Sequence, residues 1–397
     1  MLSFLAMNRR LLPSALVLAA AAGLIDCRRV RIQTSPQTHP SGGSASARPP
    51  GGIPVEKVPQ FVHFGFDDIG ISGRAGSGTS GGLKFVSELF AGKRNPAGSG
   101  NPRTYDGSPV RFSFYVVTRY IEGAEIDLPE NVKREWRKAV DAGHEIGLHT
   151  HSHAHGSAFT SDQWSAEIAA CTGWLEKPFD DERAADPETG VGVPRSLIFG
   201  FRAPFLEYGR PLFPALRGSG ILYDCSVEEG FEDRFDGSNF LWPYRVAAGY
   251  GGAASQELWE IPVYALIAPP DEACERYGVP PGFRERLHAL HDYFDPADGK
   301  ITGMDWNLWV EFGMSREEFV AVFKYSLDQR LSGNRAPFTF GAHSDIYSEQ
   351  YDTVLPTSAE DRRQGLREIL DYAMSRPELR VVTAKQLLDW LRHPAPM

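Results

Sequence analysis

Five of the eleven histidines of this chain lie within twelve residues, in the run Gly-His-Glu-Ile-Gly-Leu-His-Thr-His-Ser-His-Ala-His at residues 143–155. Neutral imidazole is the commonest metal ligand among protein side chains. Two side chains four residues apart on a helical turn point in the same direction. His149 with His153, and His151 with His155, both have that spacing. The run therefore predicts a metal site, but the spacing alone leaves two candidate pairs.

Two adjacent carboxylates, Asp67 and Asp68, end an apolar segment and form the second candidate group. Without a cation the two charges would repel each other, and one carboxylate would bind a proton. A divalent metal bound to one of them leaves the other ionised and able to act as a base. One carboxylate and two imidazoles give three protein ligands with open positions, as in catalytic zinc sites. Since these ligands include no cysteine, Co²⁺, Ni²⁺ and Mn²⁺ are alternatives to Zn²⁺.

Short apolar segments alternate with helical patterns, which is typical of β/α units around a parallel sheet or barrel. The predicted strands are Phe61–Phe66, Arg111–Val117, Glu145–His149, Ser196–Phe201, Ile221–Cys225, Leu258–Val263, Phe338–His343 and Leu379–Val382. The predicted helices are Gly82–Phe90, Glu130–Ala142, Ser161–Leu175, Ser315–Ser332, Ser358–Ser375 and Thr383–Arg392. We predict an α/β fold, a (β/α) barrel of seven or eight strands that is distorted or incomplete.

Polar candidate residues lie where these predicted strands end. They are Asp67 and Asp68, His149, Arg202, Asp224 and His343. Active sites of β/α barrels are built at the carboxyl ends of the strands. Unrelated elements would have no reason to end so regularly in polar residues, so we expect these side chains to converge on one site.

Residues 268–312 interrupt the alternation and form an aromatic-rich insertion. The segment contains Tyr293, Phe294, Trp306 and Trp309. A long connection of this kind is usually functional or disordered, and its aromatic residues indicate order. Two interpretations remain open, which are a surface subdomain with a small core of its own and a platform for substrate.

The N-terminal residues and the composition predict where the protein acts and which partners it has. Residues 1–27 have a short basic region and an apolar stretch, typical of a secretory signal, and Cys27 makes a lipoprotein signal an alternative. Residues 28–55 read as a flexible Ser/Pro/Gly linker, which leaves 56–397 as the catalytic domain. We expect export to a periplasmic, cell-envelope or extracellular location, with an anchor at Cys27 as the one membrane contact. The net charge of −10 disfavours nucleic acid as a partner.

In chain order, five segments resemble the motifs of the polysaccharide deacetylase family, the NodB-homology domain of carbohydrate esterase family four. These segments are Gly65-Phe66-Asp67-Asp68, His149-Thr150-His151-Ser152-His153, Arg202-Ala203-Pro204-Phe205, Tyr223-Asp224-Cys225-Ser226 and the strand that ends at His343. Leu241-Trp242-Pro243-Tyr244 and Leu258-Trp259-Glu260-Ile261-Pro262 are similar to the animal-type chitin deacetylases. The resemblance extends from Phe61 to about His343.

The resemblance implies roles for the residues of the metal and proton-transfer groups. Asp68, His149 and His153 would hold the metal, which leaves the other two histidines of the 149–155 stretch without a ligand role. Asp67 would be the general base, and His343 would be the acid that protonates the departing amine.

Further roles follow from the same resemblance. Arg202 would pair with Asp67, and Asp224 would adjust the pKa of His343. The backbone N–H of Phe205 would stabilise the oxyanion of the tetrahedral intermediate. Substrate contacts are expected from Phe205, Trp242 and Trp306.

The implied activity is hydrolysis of N-acetyl groups in N-acetylglucosamine-containing glycans of the chitin or peptidoglycan type, by a metal-activated water. The partner would be an acetylated polysaccharide or oligosaccharide. Two alternatives are an O-acetyl esterase acting on xylan-type glycans and a non-catalytic glycan-binding member of the family. The presence of both a candidate base and a candidate acid disfavours the last, because a binding protein needs neither.

Two positions depart from the family pattern. Gly65 replaces the usual threonine before the catalytic pair. Gly341, two residues before His343, replaces a leucine that commonly lines the pocket for the acetyl methyl group. The pocket is therefore expected to be wider or to be filled by another residue.

Overall fold

Parallel strands form the centre of the molecule in the computed structural model, which describes residues 39–76, 80–123, 126–250 and 257–397. In chain order the strands are β1 (Gln60–Asp67), β2 (Ser113–Val116), β3 (Glu145–Leu148), β4 (Gly200–Phe201), β5 (Tyr223–Asp224), β6 (Glu228–Glu229), β7 (Tyr244–Arg245), β8 (Trp259–Glu260), β9 (Val263–Tyr264), β10 (Leu266–Ile267), β11 (Lys300–Ile301), β12 (Phe338–His343) and β13 (Leu379–Val381). The helices are α1 (Gly82–Phe90), α2 (Pro129–Asp141), α3 (Ser161–Glu176), α4 (Leu212–Gly218), α5 (Asp271–Tyr277), α6 (Phe283–Leu290), α7 (Arg316–Ser332), α8 (Ala359–Met374) and α9 (Ala384–Arg392).

The main sheet follows the order β12-β1-β2-β3-β4-β5-β8-β7, and β13 also pairs with β1. Its pairs are parallel except for the antiparallel pair of β7 and β8. Within the described residues, no strand pairing joins β7 back to β12. The prediction of an α/β barrel that is incomplete is confirmed.

Side-chain alternation along β1 and β12 separates a helix-facing side from an interior side. Phe64 of β1 and Phe340 of β12 contact Phe323 of α7. The odd-numbered residues face the other way, toward the interior of the barrel. The two strands are in register, with Gly65 opposite Gly341 and Asp67 opposite His343. Two of the predicted site residues therefore lie side by side at the carboxyl edge of the sheet.

Several predicted strands are shorter or divided, and a proline accompanies the change in two of them. The segment predicted as Ser196–Phe201 follows Pro194 with a 3-10 turn at Arg195–Leu197, so only Gly200–Phe201 is a strand. In the predicted strand Leu258–Val263, Pro262 separates β8 from β9, because proline has no N–H for a sheet hydrogen bond.

The buried aromatic residues of the insertion 268–312 do not form a core of their own. Phe294, Trp309 and Phe312 are at most 3 % exposed and pack into the main apolar core. Residues after β11 return to the barrel, where Met304 forms an isolated parallel bridge with Gly341. The backbone N–H of Gly341 donates to the carbonyl of Gly303 at 2.8 Å. The insertion thus extends the sheet beyond β12, directly beside the carboxyl end of the strand.

The predicted export signal, Cys27 and the first part of the linker lie outside the described residues. The later part of the linker contacts the barrel, because the carbonyls of Pro40 and Ser46 accept hydrogen bonds from the backbone of Ala247 and Trp242, both at 2.8 Å. Among the helices that the structure describes, none has the length and apolar character needed to span a bilayer.

Candidate metal centre and active site

Unfavourable backbone conformations are concentrated at the carboxyl ends of β1, β3 and β4. Six non-glycine residues there have a positive φ, namely Asp68 (67°), Ile69 (63°), Thr150 (68°), His153 (55°), Phe205 (58°) and Leu206 (54°). Such residues cost about 1–3 kcal/mol each and persist only where their surroundings hold them. The loop after Asp68 is held by Asp345, whose carboxylate accepts from the N–H groups of Gly70 and Ile71 at 2.9 and 3.0 Å.

The two candidate ligands of the histidine run converge through a loop and not through a helical turn. His149 follows β3 directly, and the chain then turns at Thr150 and His153, both in the left-handed region. The backbone N–H of His153 donates to the Thr150 hydroxyl at 3.1 Å, which closes the turn. The helical geometry assumed from the four-residue spacing is therefore wrong, although the convergence of the two side chains is as predicted.

Asp68, His149 and His153 each offer one ligand atom, and these atoms lie within 4.8 Å of one another. The Nε2 atoms of His153 and His149 lie 3.0 and 3.5 Å from Asp68 Oδ1. His149 Nδ1 lies 2.8 Å from the Arg202 carbonyl. Because a carbonyl only accepts, Nδ1 carries the hydrogen and Nε2 keeps its lone pair for a ligand. Burial also lowers the pKa of His149 to about 3, so the ring is neutral.

Asp68 has the charge that this arrangement requires. Burial alone would raise its pKa, but the neighbouring His153, and then His343, outweigh burial and hold the pKa well below its usual range. Its buried Oδ1 makes no hydrogen bond within the described part of the chain. An ionised carboxylate beside the imidazole rings of His149 and His153 is a donor set that suits a divalent cation such as Zn²⁺.

The histidines of the second candidate pair, His151 and His155, point to different partners. His151 Nδ1 lies 3.0 Å from the Thr118 hydroxyl, and its Nε2 lies 3.3 Å from Glu122. His155 contacts Glu207 at 3.0 Å and stacks on the ring of Phe205, with centroids 4.0 Å apart. The structure thus brings together one of the two candidate pairs, His149 with His153, and leaves the second outside the cluster.

Asp67 forms a buried ion pair with Arg202, whose Nη1 lies 2.7 Å from Asp67 Oδ1. Burial raises the pKa of Asp67 to about 6, although Arg202 and His343 act in the opposite direction. A Cβ atom at Gly65 would lie 2.9 Å from Arg202 Nη2. Glycine at this position therefore leaves the room that the guanidinium occupies, which is a physical reason for the missing threonine.

His343 contacts a carboxylate that the sequence analysis did not identify. Its Nδ1 lies 2.8 Å from Asp305 Oδ1, and its backbone N–H donates to Asp305 Oδ2 at 3.0 Å. Burial alone would lower the pKa of His343, but Asp305, and then Asp68 and Asp67, raise it to about 9. The imidazole is therefore protonated at neutral pH, with Nδ1 engaged and Nε2 left to donate.

The prediction that Asp224 adjusts His343 is wrong. Asp224 lies at the end of β5, far from β12 in the sheet order, and accepts a hydrogen bond from the Ser226 hydroxyl at 2.6 Å. Asp305 lies in the insertion, with no predicted strand before it to mark it as a site residue. The one available indication in the sequence was an acidic residue beside Trp306 within an aromatic segment.

The three predicted substrate contacts have different surroundings. Trp242 is 3 % exposed and stacks on Trp390 in the core, so its prediction as a substrate contact is wrong. The half-buried ring of Trp306 lies 6.1 Å from that of His343, and Phe205 lies 4.6 Å from His153. Within the described residues the backbone N–H of Phe205 makes no hydrogen bond, which leaves it available to an oxyanion.

Comparison with known proteins supports the resemblance. Residues 106–185 match the family model for polysaccharide deacetylase. Chitin deacetylase 8 of Bombyx mori is 23% identical over 358 residues, which are 89% of this chain and 76% of that protein. A solved structure from Mycobacterium smegmatis, assigned as a polysaccharide deacetylase, aligns with a TM-score of 0.50 and 16% identity, over 87% of this chain and 93% of that chain. The structural match confirms the barrel.

The ligand geometry predicts unequal effects of histidine substitutions. His149→Ala and His153→Ala each remove one ligand, so zinc affinity should fall by more than ~100-fold, beyond the range for losing an outer partner. His151→Ala and His155→Ala are the matched controls and should retain zinc. Zinc bound after dialysis, measured by mass spectrometry on the folded proteins, checks this. Equal loss in all four variants would contradict the ligand assignment.

Proposed function

We propose that this chain, which carries a polysaccharide deacetylase family domain, is a metal-dependent hydrolase that removes N-acetyl groups from N-acetylglucosamine-containing glycans. The observation that supports this most directly is the pairing of Asp67 with His343 on adjacent strands, next to the cluster of Asp68, His149 and His153. Amide hydrolysis needs a base for the attacking water and an acid for the leaving nitrogen, and these two residues have the charges for those roles.

The metal would be held by the three residues of that cluster. Zn²⁺ is the first candidate, with Co²⁺, Ni²⁺ and Mn²⁺ as alternatives for a ligand set of nitrogen and oxygen. When bound, the ion would supply Lewis-acid polarisation of the acyl carbonyl and would make a water more acidic.

In the first chemical step, Asp67 acts as the general base. Its carboxylate accepts a proton from water while the water oxygen forms a bond to the acyl carbon. Arg202, paired with Asp67 in the barrel interior, keeps the carboxylate ionised and oriented. The free N–H of Phe205 would donate to the oxyanion that forms on the acyl oxygen.

In the second step, His343 acts as the general acid. Its Nε2 donates a proton to the amide nitrogen as the carbon–nitrogen bond breaks, which releases a free amine on the sugar and acetic acid. Asp305 stabilises the imidazolium before transfer and fixes the ring orientation. Asp67 then releases its proton to solvent and His343 takes up a proton from solvent, so both residues return to their starting states.

An acetylated glycan is the substrate class that fits the surroundings. The rings of Trp306 and Phe205 flank the candidate site on two sides, and aromatic rings pack well against the apolar faces of sugars. The alternatives are an O-acetyl esterase on xylan-type glycans and a glycan-binding protein without activity. A histidine kept protonated by Asp305 favours the amide, whose nitrogen must be protonated to leave.

Acetate release is the direct test of this proposal. The purified protein with Zn²⁺ should release acetate from chitooligosaccharides faster than from acetylxylan. Removal of metal by chelation should abolish release, and added Zn²⁺ should restore it. Asp67→Asn removes the base and should lower kcat by ~10²- to 10⁴-fold, the typical contribution of general base catalysis, while zinc content stays unchanged.

Each other outcome selects an alternative. Faster release from acetylxylan would indicate the O-acetyl esterase. Binding of chitooligosaccharides without release of acetate from any acetylated glycan would contradict the hydrolase and favour the binding protein.

The pH profile tests the assignment of His343 as the acid. Activity requires its protonated form, so kcat/KM should decline above a pH near 9, where its raised pKa lies. In Asp305→Asn the charge that raises this pKa is removed, while Asp67 and Asp68 remain. The alkaline decline should then move to lower pH, toward the ordinary value of 6.5.

The matched control is Asp292→Asn, which changes an exposed aspartate of the same insertion. Its profile should coincide with that of the unaltered protein. An unchanged alkaline decline in Asp305→Asn would exclude His343 as the group that this decline reports.

A further inference from the structure

The interior space beside Gly341 is occupied by the side chain of Met304. A Cβ atom built at Gly341 would lie 1.9 Å from Met304 Sδ and 2.8 Å from its Cε. Residue 341 faces the same side of β12 as His343, because alternate residues of a strand share a face. Met304 therefore fills the interior of the barrel one layer below the catalytic histidine.

Backbone contacts of Met304 fix its position relative to His343. The bridge to Gly341 and the hydrogen bond from Met304 N–H to the Thr302 carbonyl at 2.7 Å hold the segment against β12. The next residue is Asp305, which contacts His343 through both carboxylate oxygens. Met304 is 6 % exposed, so it is buried but keeps a small accessible surface.

One charged and one apolar side chain occupy the barrel interior beside the glycines that lie two residues before Asp67 and His343. Gly65 and Gly341 lie opposite each other in the register of β1 and β12. Because neither residue has a side chain, side chains from other segments occupy the space beside them. Arg202 fills the space at Gly65 and is engaged with Asp67, whereas Met304 fills the space at Gly341. Met304 is thus the apolar wall of this layer, next to a charged wall that cannot favourably receive a methyl group.

We propose that Met304 is the residue that limits the size of the acyl group, with its thioether against the acyl methyl. This inference rests on the proposed hydrolysis of N-acyl groups. When the acyl carbon lies between Asp67 and His343 and the nitrogen faces His343, the acyl substituent must turn away from both polar groups. Met304 presents an apolar surface on that side.

The inference predicts a change in acyl selectivity when the methionine is shortened. Met304→Ala opens space below His343, so kcat/KM for N-propionyl relative to N-acetyl glucosamine oligomers should rise by at least ~10-fold, the range for one methylene in an apolar pocket. Met304→Val, which removes less volume, should shift the ratio in the same direction and by less.

A reciprocal variant tests whether the space itself is responsible. In Met304→Ala combined with Gly341→Leu, the leucine side chain enters the vacated room, and the ratio should return toward that of the unaltered protein. The matched control is Met314→Ala, which shortens a fully buried methionine packed in the main core. It is expected to lower the free energy of unfolding and leave the ratio unchanged.

The outcomes separate this inference from the proposed function. If the unaltered protein releases no acyl group, the hydrolase proposal fails and the inference fails with it. If the protein releases acetate and the ratio is unchanged in both Met304→Ala and Met304→Val, only the inference is overturned. An equal rise in Met314→Ala would also overturn it, because the effect would then be general loosening of the core.

Discussion

Two adjacent carboxylates at the end of a buried strand are the constraint on which the rest of the site depends. Asp67 and Asp68 cannot both remain charged in the interior unless each has its own compensation. Arg202 compensates Asp67 in the barrel, at 2.7 Å. His149 and His153 approach Asp68 from the end of β3, in the arrangement of a metal site. This division would give two residues of the same type different roles, with Asp67 as the base and Asp68 as a metal ligand.

This division determines what the surrounding elements must do. Asp67 can face the interior with β1, but Asp68 has to leave the strand, which it does with a φ of 67°. The strained turn is stable because Asp345, just after β12, accepts hydrogen bonds from the backbone N–H groups of Gly70 and Ile71. The same segment of β12 brings His343 beside Asp67. One strand end thus carries the candidate acid and supports the loop that carries a candidate ligand.

The sequence was sufficient for the parts of the site that follow strands. Asp67, Asp68, His149, Arg202 and His343 were placed correctly because apolar segments and barrel architecture assign polar residues to one edge. The choice between the two histidine pairs needed the family resemblance, since both pairs have the same spacing. The loop geometry could not be predicted, because the left-handed turns at Thr150 and His153 depend on contacts made elsewhere.

Asp305 and Met304 were not predictable for a related reason. Both lie just after β11 in a segment that, within the described residues, contacts the main sheet through an isolated bridge to Gly341, so neither apolar alternation nor strand length marks it. The prediction for Trp242 is wrong for the opposite reason. The residue lies in a motif and is predicted to contact substrate, but its ring packs on Trp390. Burial decided that case, and burial is a property of the folded chain.

The central claim is the unequal division of the two carboxylates, and anomalous diffraction at the zinc absorption edge tests it most directly. Crystals grown with Zn²⁺ should show one strong anomalous peak, bonded to Asp68, His149 and His153, with Asp67 still paired to Arg202. A peak bonded to Asp67, or one held by His151 or His155 in place of those ligands, would contradict the account.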